Sequence, residues 1–158
     1  MSWTLPATLL LVSRFSPCGS CPCVILPGED LSRPATMVPR ARREAEAIFV
    51  GRVVSVDTLS MGQKWFPSDT TPNRRLLRWA DTVSYAFHVS TVWKGKLVRK
   101  AVVIVPAAPS SCGRSFNLEE SYLVYAEPGG VTSSCARVLR FNDAEADLAV
   151  LGKGQSPH

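Results

Sequence analysis

A chain of 158 residues that is 46% hydrophobic and 20% charged can bury a core of its own. That excludes a disordered tail, and the length is too short for two comfortable domains. Eighteen Lys and Arg against thirteen Asp and Glu leave a formal net charge of +5, which either solubilises an ordinary surface or draws polyanions to it.

The first recognisable element is Trp3 to Val12 (WTLPATLLLV), apolar but well short of the roughly 20 residues that cross a bilayer. Small residues follow at Cys18-Gly19-Ser20. Together they read as the hydrophobic region and cleavage site of a signal peptide, residues 1–20, although Pro6 interrupts the run and no Lys or Arg precedes it. No later stretch is long and apolar enough to span a membrane. A mature chain starting at Cys21 is therefore expected in a secreted, extracellular or periplasmic setting.

Cysteines stand at positions 18, 21, 23, 112 and 135. Loss of Cys18 with the signal leaves four, and an even set in an exported chain reads as disulfides. Zinc is the competing use, but Cys21-Pro22-Cys23 has a one-residue gap and lacks a second close pair, and the only histidines are His88 and His158. Cys21 and Cys23 are too close to bridge each other, so each should reach a distant partner. Loops of that length would stabilise the fold by about 4–5 kcal/mol apiece in the chain-entropy model.

Arg40 to Glu46 (RARREAE), begun after a proline and rich in helix formers, predicts a short helix whose charges form a solvated face. Ala47 to Val56 is a strand, apolar on both faces, with Gly51 marking a bend or bulge. Asp57 to Asp81 carries Pro67, Pro72 and Asn73 and reads as a long hairpin loop with possible strand extensions. From Thr82 to Val89 the alternation is clean, with Val83, Tyr85, Phe87 and Val89 on one face and His88 on the polar one. Its phase slips near Ser90-Thr91, which predicts a bulge.

Trp93-Lys94-Gly95-Lys96 is the next turn, and Ala101 to Val105 a fully buried third strand. Ser121 to Ala126 and Cys135 to Phe141 are the fourth and fifth. Asn142 and Glu145 are spaced as a capping box for a last helix with Ala144, Leu148 and Leu151 as its buried stripe and Gly152 as its end. The fold class expected is mainly β: a five-stranded OB-like barrel with a short N-terminal helix and a C-terminal helix, stapled by disulfides. The domain would cover residues 21–152 and leave 153–158 as a tail.

The ordered set of Cys21-x-Cys23, a short helix, Ile48-Phe49-Val50-Gly51-Arg52-Val53, Phe87-His88-Val89-Ser90-Thr91-Val92-Trp93-Lys94-Gly95, Ser111-Cys112-Gly113, Tyr122-Leu123-Val124-Tyr125-Ala126 and a late Cys135 resembles a known family. It is similar to the tissue inhibitors of metalloproteinases, of the netrin-like superfamily, and especially to their short single-domain bacterial relatives. The resemblance covers almost the whole mature chain. It implies bridges from Cys21 to Cys112 and from Cys23 to Cys135.

It further implies that the Cys21 amine and carbonyl chelate the catalytic zinc of a partner protease, displacing the water that hydrolysis needs. Pro22 would enter the specificity pocket and Cys23 would lock the ridge. Pro22 stands where inhibitory members carry Ser or Thr, so one backbone donor is lost there.

A different partner class follows from the charges. Arg74, Arg75 and Arg78 in the long loop, with Lys94, Lys96, Arg99 and Lys100 around the WKG turn, suit a sulfated glycan or a cell-surface protein bound by an adhesion module. Trp65 and Trp79 could stack on such a ligand, whereas core packing is the use expected of Trp93. Barrels of this kind also bind single-stranded nucleic acid, but export and disulfides argue against it. The chain carries no HExxH, GxSxG or phosphate-binding glycine loop, so neither catalysis nor a cofactor is expected.

Overall fold

The computed structural model describes residues 23–30, 33–66, 75–96, 98–107 and 113–158. Among the described residues, five strands form one antiparallel sheet: β1 (Ala47–Phe66), β2 (Arg75–Lys94), β3 (Lys100–Pro106), β4 (Ser121–Ala126) and β5 (Val138–Arg140), in the order β3-β2-β1-β4-β5. Two short helices, α1 (Val38–Glu44) and α2 (Glu145–Leu151), flank it. None of the helices among the described residues is long and apolar enough to cross a membrane.

The central pair, β1 and β4, is apolar on both faces because both faces are covered. In register, Phe49 stands opposite Val124 and Gly51 opposite Tyr122, and Phe49, Val124 and Tyr122 point into one core with Val53, Phe87 and Val103. Ile48 opposite Tyr125 and Val50 opposite Leu123 point the other way, into a second core with Val38, Ala144 and Leu151 of the helical layer. The first core is filled by edge-to-face aromatics, with Phe116 5.2 Å from Phe87, 5.0 Å from Tyr85 and 5.1 Å from Tyr122 between ring centroids. Phe116 lies outside every strand, so no periodicity marks it as core.

The expected bulge is present. Val50 pairs with Thr91 and Gly51 with Val89, so Ser90 is the extra residue, and its hydroxyl donates to the Val50 carbonyl at 3.2 Å. At Gly51 a Cβ would lie 3.1 Å from the His88 carbonyl oxygen and 3.2 Å from the Phe87 Cβ, which explains the glycine at this close approach. Val83, Tyr85, Phe87 and Val89 are buried, and His88 is exposed.

Other elements differ from expectation. The helix starts at Val38 rather than Arg40, directly after a 3-10 turn over Pro34–Met37. Much of the expected loop from Asp57 to Asp81 is strand, as β1 runs on to Phe66 and β2 begins at Arg75. Beyond Arg52 β1 has no β4 partner, and Val54, Val56, Leu59 and Met61 are exposed. A ribbon with no strongly buried face imposes little hydrophobic alternation, so its strands do not announce themselves. Pro67, Pro72 and Asn73 lie outside the described residues.

β3 alternates instead of being buried throughout: Val103 and Val105 face the core, and Val102 is 60% exposed. β5 is only three residues long. The capping box does not form. The chain enters α2 through a 3-10 turn over Phe141–Asp143, and Ala144 is the N-cap without a side-chain bond. Gly152, at φ 71°, ends the helix as expected. The tail is not loose, because Gln155 exchanges two backbone hydrogen bonds with Val92 at 2.8 and 2.9 Å.

α2 also buries a charge. Asp147 is 1% exposed and accepts both arms of the Arg137 guanidinium at 2.6 Å, plus the Tyr125 hydroxyl at 2.9 Å. A buried carboxylate persists only when so fully paired. Burial, reinforced by the adjacent Asp147 charge, pushes the Tyr125 phenol far above its ordinary value.

Tyr125 holds its proton more tightly folded than unfolded, so its stabilisation is complete below about pH 10 and is lost as pH rises beyond it. Urea unfolding at about pH 9 and pH 11 should show the parent chain losing roughly 1.4 kcal/mol more than Tyr125→Phe. Equal losses would contradict the assignment.

Candidate docking ridge

The N-terminal described segment is held at both ends. Cys23 bridges Cys135, 112 residues away, with a Cα–Cα distance of 5.3 Å. This is one of the two bridges that the resemblance implies; Cys21, Pro22 and Cys112 lie outside the described residues. Three residues on, Leu26-Pro27-Gly28-Glu29 forms a turn in which the Glu29 N–H donates to the Leu26 carbonyl at 3.0 Å. Proline at its second position and glycine with φ 91° at its third suit a type II turn.

Arg40 fixes this turn from α1. Its Nη1 donates to the Val24 carbonyl at 3.0 Å and to Glu29 Oε2 at 3.1 Å, and the same Oε2 accepts the Leu26 N–H at 2.8 Å. The Glu29 side chain is 7% exposed and that of Arg40 18%, so the pair is well shielded from the solvent that weakens surface ion pairs. The solvated face expected for Arg40–Glu46 is therefore interrupted, because its first arginine is spent on the segment preceding the helix. Asp30 follows, its N–H donating to Thr36 Oγ1 at 3.0 Å.

Between these anchors Val24, Ile25 and Leu26 are 69%, 46% and 42% exposed. Three consecutive apolar side chains facing water on a pinned backbone make a ready-ordered docking edge, since little chain entropy remains to be lost on contact. Sequence reasoning singled out Cys23 but missed these three residues; a Val-Ile-Leu run next to a disulfide and before a Pro-Gly turn is the signal that marks them.

Behind the ridge, the Cys135 loop is held by Arg114. Its Nη2 donates to the Ser134 and Ala136 carbonyls at 3.0 and 3.3 Å, and its Nη1 to Val138 at 3.4 Å. Burial lowers the Arg114 pKa from its ordinary value, the expected effect of desolvating a cation.

Among the described residues, the basic side chains are put to different uses. Lys94 is half-buried and its ammonium donates to the Arg42 carbonyl at 2.8 Å and to those of Arg43 and Ala45. It thus caps the C-terminal end of α1, where a cation is favoured. Lys96, Arg99 and Lys100 are exposed and, among the described residues, form no ion pair. Arg78 is also exposed, but it lies ten residues before His88, the strand partner of Lys100. That separation is roughly 33 Å of strand at about 3.3 Å per residue.

Arg74 lies outside the described residues, as do the side chains of Arg75, Trp65 and Trp79. Trp93 packs against the second core, with its indole N–H donating to the Gly152 carbonyl at 2.8 Å.

Comparison of the sequence with protein-family models and with curated proteins finds no match.

Because Cys23–Cys135 closes a loop spanning most of the chain, Cys135→Ser should destabilise the fold by up to about 4–5 kcal/mol. Urea unfolding measures that directly. Limited proteolysis should then cut near Val24–Leu26 in the variant well before the parent, and an unchanged cleavage rate would show that the bridge does not hold the ridge.

Proposed function

We propose that this chain is an exported protein of the tissue-inhibitor and netrin-like kind that inhibits a zinc metalloendopeptidase through an N-terminal ridge starting at Cys21. The observation that carries the reading is the disulfide-pinned, outward-facing apolar segment directly after Cys21-Pro22. In this mechanism the free Cys21 amine, with an ordinary pKa near 8, loses its proton and binds the protease zinc together with the Cys21 carbonyl. Pro22 enters the pocket beside the metal, and Val24, Ile25 and Leu26 extend the contact along the cleft. Catalysis stops because the activated water has been replaced.

The strand order supports an OB-like barrel as scaffold. Neighbours β3-β2-β1-β4-β5 place the two outer strands on opposite edges, where closure would bring them together. Beside β3, Ile104 forms an isolated parallel bridge with Val131, and the Thr132 N–H donates to the Ile104 carbonyl at 2.9 Å. Val131 and Thr132 precede β5, so the far edge of the sheet approaches β3 at this point.

The test begins with the N-terminal sequence and intact mass of the exported protein. A free Cys21 should inhibit a zinc metalloendopeptidase stoichiometrically, and one alanine added ahead of Cys21 should abolish inhibition. The affinity loss should exceed about a hundredfold, since removing an outer-sphere metal partner alone costs 10–100-fold. Equal inhibition by both forms, or a mature chain that begins elsewhere, would sink the mechanism.

A second reading is favoured by the Lys96, Arg99 and Lys100 cluster, whose charges are exposed and unpaired among the described residues: an adhesion module for a sulfated glycan. The parent chain should then elute from heparin at a salt concentration clearly above that of a Lys96→Ala/Arg99→Ala/Lys100→Ala variant. Coincident elution at very low salt would leave that reading without support.

A further inference from the structure

The pairing of β2 with β3 ends at His88–Lys100, although β2 continues to Lys94. On the opposite side β4 ends at Ala126, and the chain turns through a 3-10 segment, Pro128–Gly130, before touching β3 at Ile104. Past His88, β2 keeps the Val89 N–H to Arg99 carbonyl bond and the bridge from Val92 to Gln155, and among the described residues no strand pair joins the end of β2 to this corner. Between them lies a groove of about 300 Å³ whose apolar lining includes Phe49, Val89, Val92, Ala101, Val102 and Ala126. Phe49, Val89, Val92 and Ala126 belong to the first core and are only 2–4% exposed, so they form the floor of the groove, and its accessible apolar wall is Val98 and Val102, 41% and 60% exposed. Its size is at the lower end of the range typical of small-molecule sites, about 300–1,000 Å³.

Four charged residues line the mouth: Glu46, Glu127, Lys94 and Lys96. Three are already engaged. Glu46 Oε2 accepts the Gly129 N–H at 2.7 Å, and Glu127 Oε2 accepts the Ser133 N–H at 3.3 Å. Lys94 is turned away into the carbonyls at the end of α1. Among the described residues, the Lys96 side chain has neither an ion pair nor a hydrogen bond, and it is exposed. A lysine stem can extend an apolar wall while its ammonium stays at the water boundary. The mouth thus offers one unspent cation above an apolar slot.

We infer that this groove binds a short aliphatic monocarboxylate, with the chain against Val98, Ala101 and Val102 and the carboxylate on Lys96. The site is separate from the N-terminal ridge and does not depend on the protease reading. A neutral chain of the same length gains the apolar contact alone, whereas the carboxylate adds a charge-assisted bond.

Calorimetric titration of the full exported protein with octanoate and with 1-octanol tests this. Octanoate should saturate near a millimolar or tighter, the affinity expected of a ligand this small. Octanol should bind about three- to tenfold more weakly, the value of one charge-assisted bond at a wet rim. Lys96→Ala should bring octanoate down to the octanol level and leave octanol unchanged. Val102→Glu alters a side chain that is already 60% exposed, so the fold is preserved while an anion is added to the wall, and octanoate binding should weaken most. Thermal unfolding verifies that both variants remain folded. Absence of saturable octanoate binding, equal affinity for octanol, or indifference to both substitutions would overturn the assignment.

Discussion

The rest of the molecule depends on the first seven residues of β1, Ala47 to Val53. Ala47–Arg52 pair with β4 and, from Ile48 onward, the run pairs with β2 across the other edge. Their side chains alternate between two cores, Phe49 and Val53 on one side and Ile48 and Val50 on the other. From Ile48 to Gly51 both faces are buried, so the backbone polar groups there must pair within the sheet. Both layers of the protein are consequently referenced to one short strand.

The helical layer and the ridge inherit their positions from it. Val38 of α1, Leu151 of α2 and Ala144 at its N-cap complete the second core against Ile48, Val50 and Tyr125. Lys94, the last residue of β2, grips the end of α1, and Trp93 beside it grips the end of α2. Arg40 of α1 then holds the Leu26–Glu29 turn, and Arg137 and Tyr125 hold Asp147 of α2. The ridge is thus fixed twice, covalently through Cys135 and electrostatically through α1. Such double anchoring keeps an exposed apolar segment in one arrangement.

The two candidate surfaces are built differently. At the ridge the chain is pinned and its side chains project into water. At the groove, among the described residues, no strand pair joins the end of β2 to the β4–β5 corner. The WKG turn supplies a spent cation, Lys94, and an unspent one, Lys96, and only the position of α1 separates their roles.

Much of this was legible in the residues. Alternation located β2 from Thr82 onward and its slip near Ser90-Thr91, since a strand with one buried face must repeat every two residues. Uninterrupted apolar runs located the start of β1 and β4, since a strand covered on both sides has no polar face to show. Cysteine count and spacing pointed to long-range bridges, with Cys23 reaching a distant partner.

The rest needed three dimensions. The β1–β2 ribbon buries too little to pattern its sequence, and Phe116 enters the core from a segment without periodicity. The partners of Arg40, Lys94 and Arg137 are chosen by packing between distant segments, so a charge run cannot reveal which arginine is solvated and which is structural. By itself the sequence determined which stretches are covered on one face and which on two, because burial writes hydrophobicity directly into the chain. Only the tertiary structure decided which charges are spent, which apolar residues face outward and where the sheet is left open, because those depend on what each segment meets across the fold.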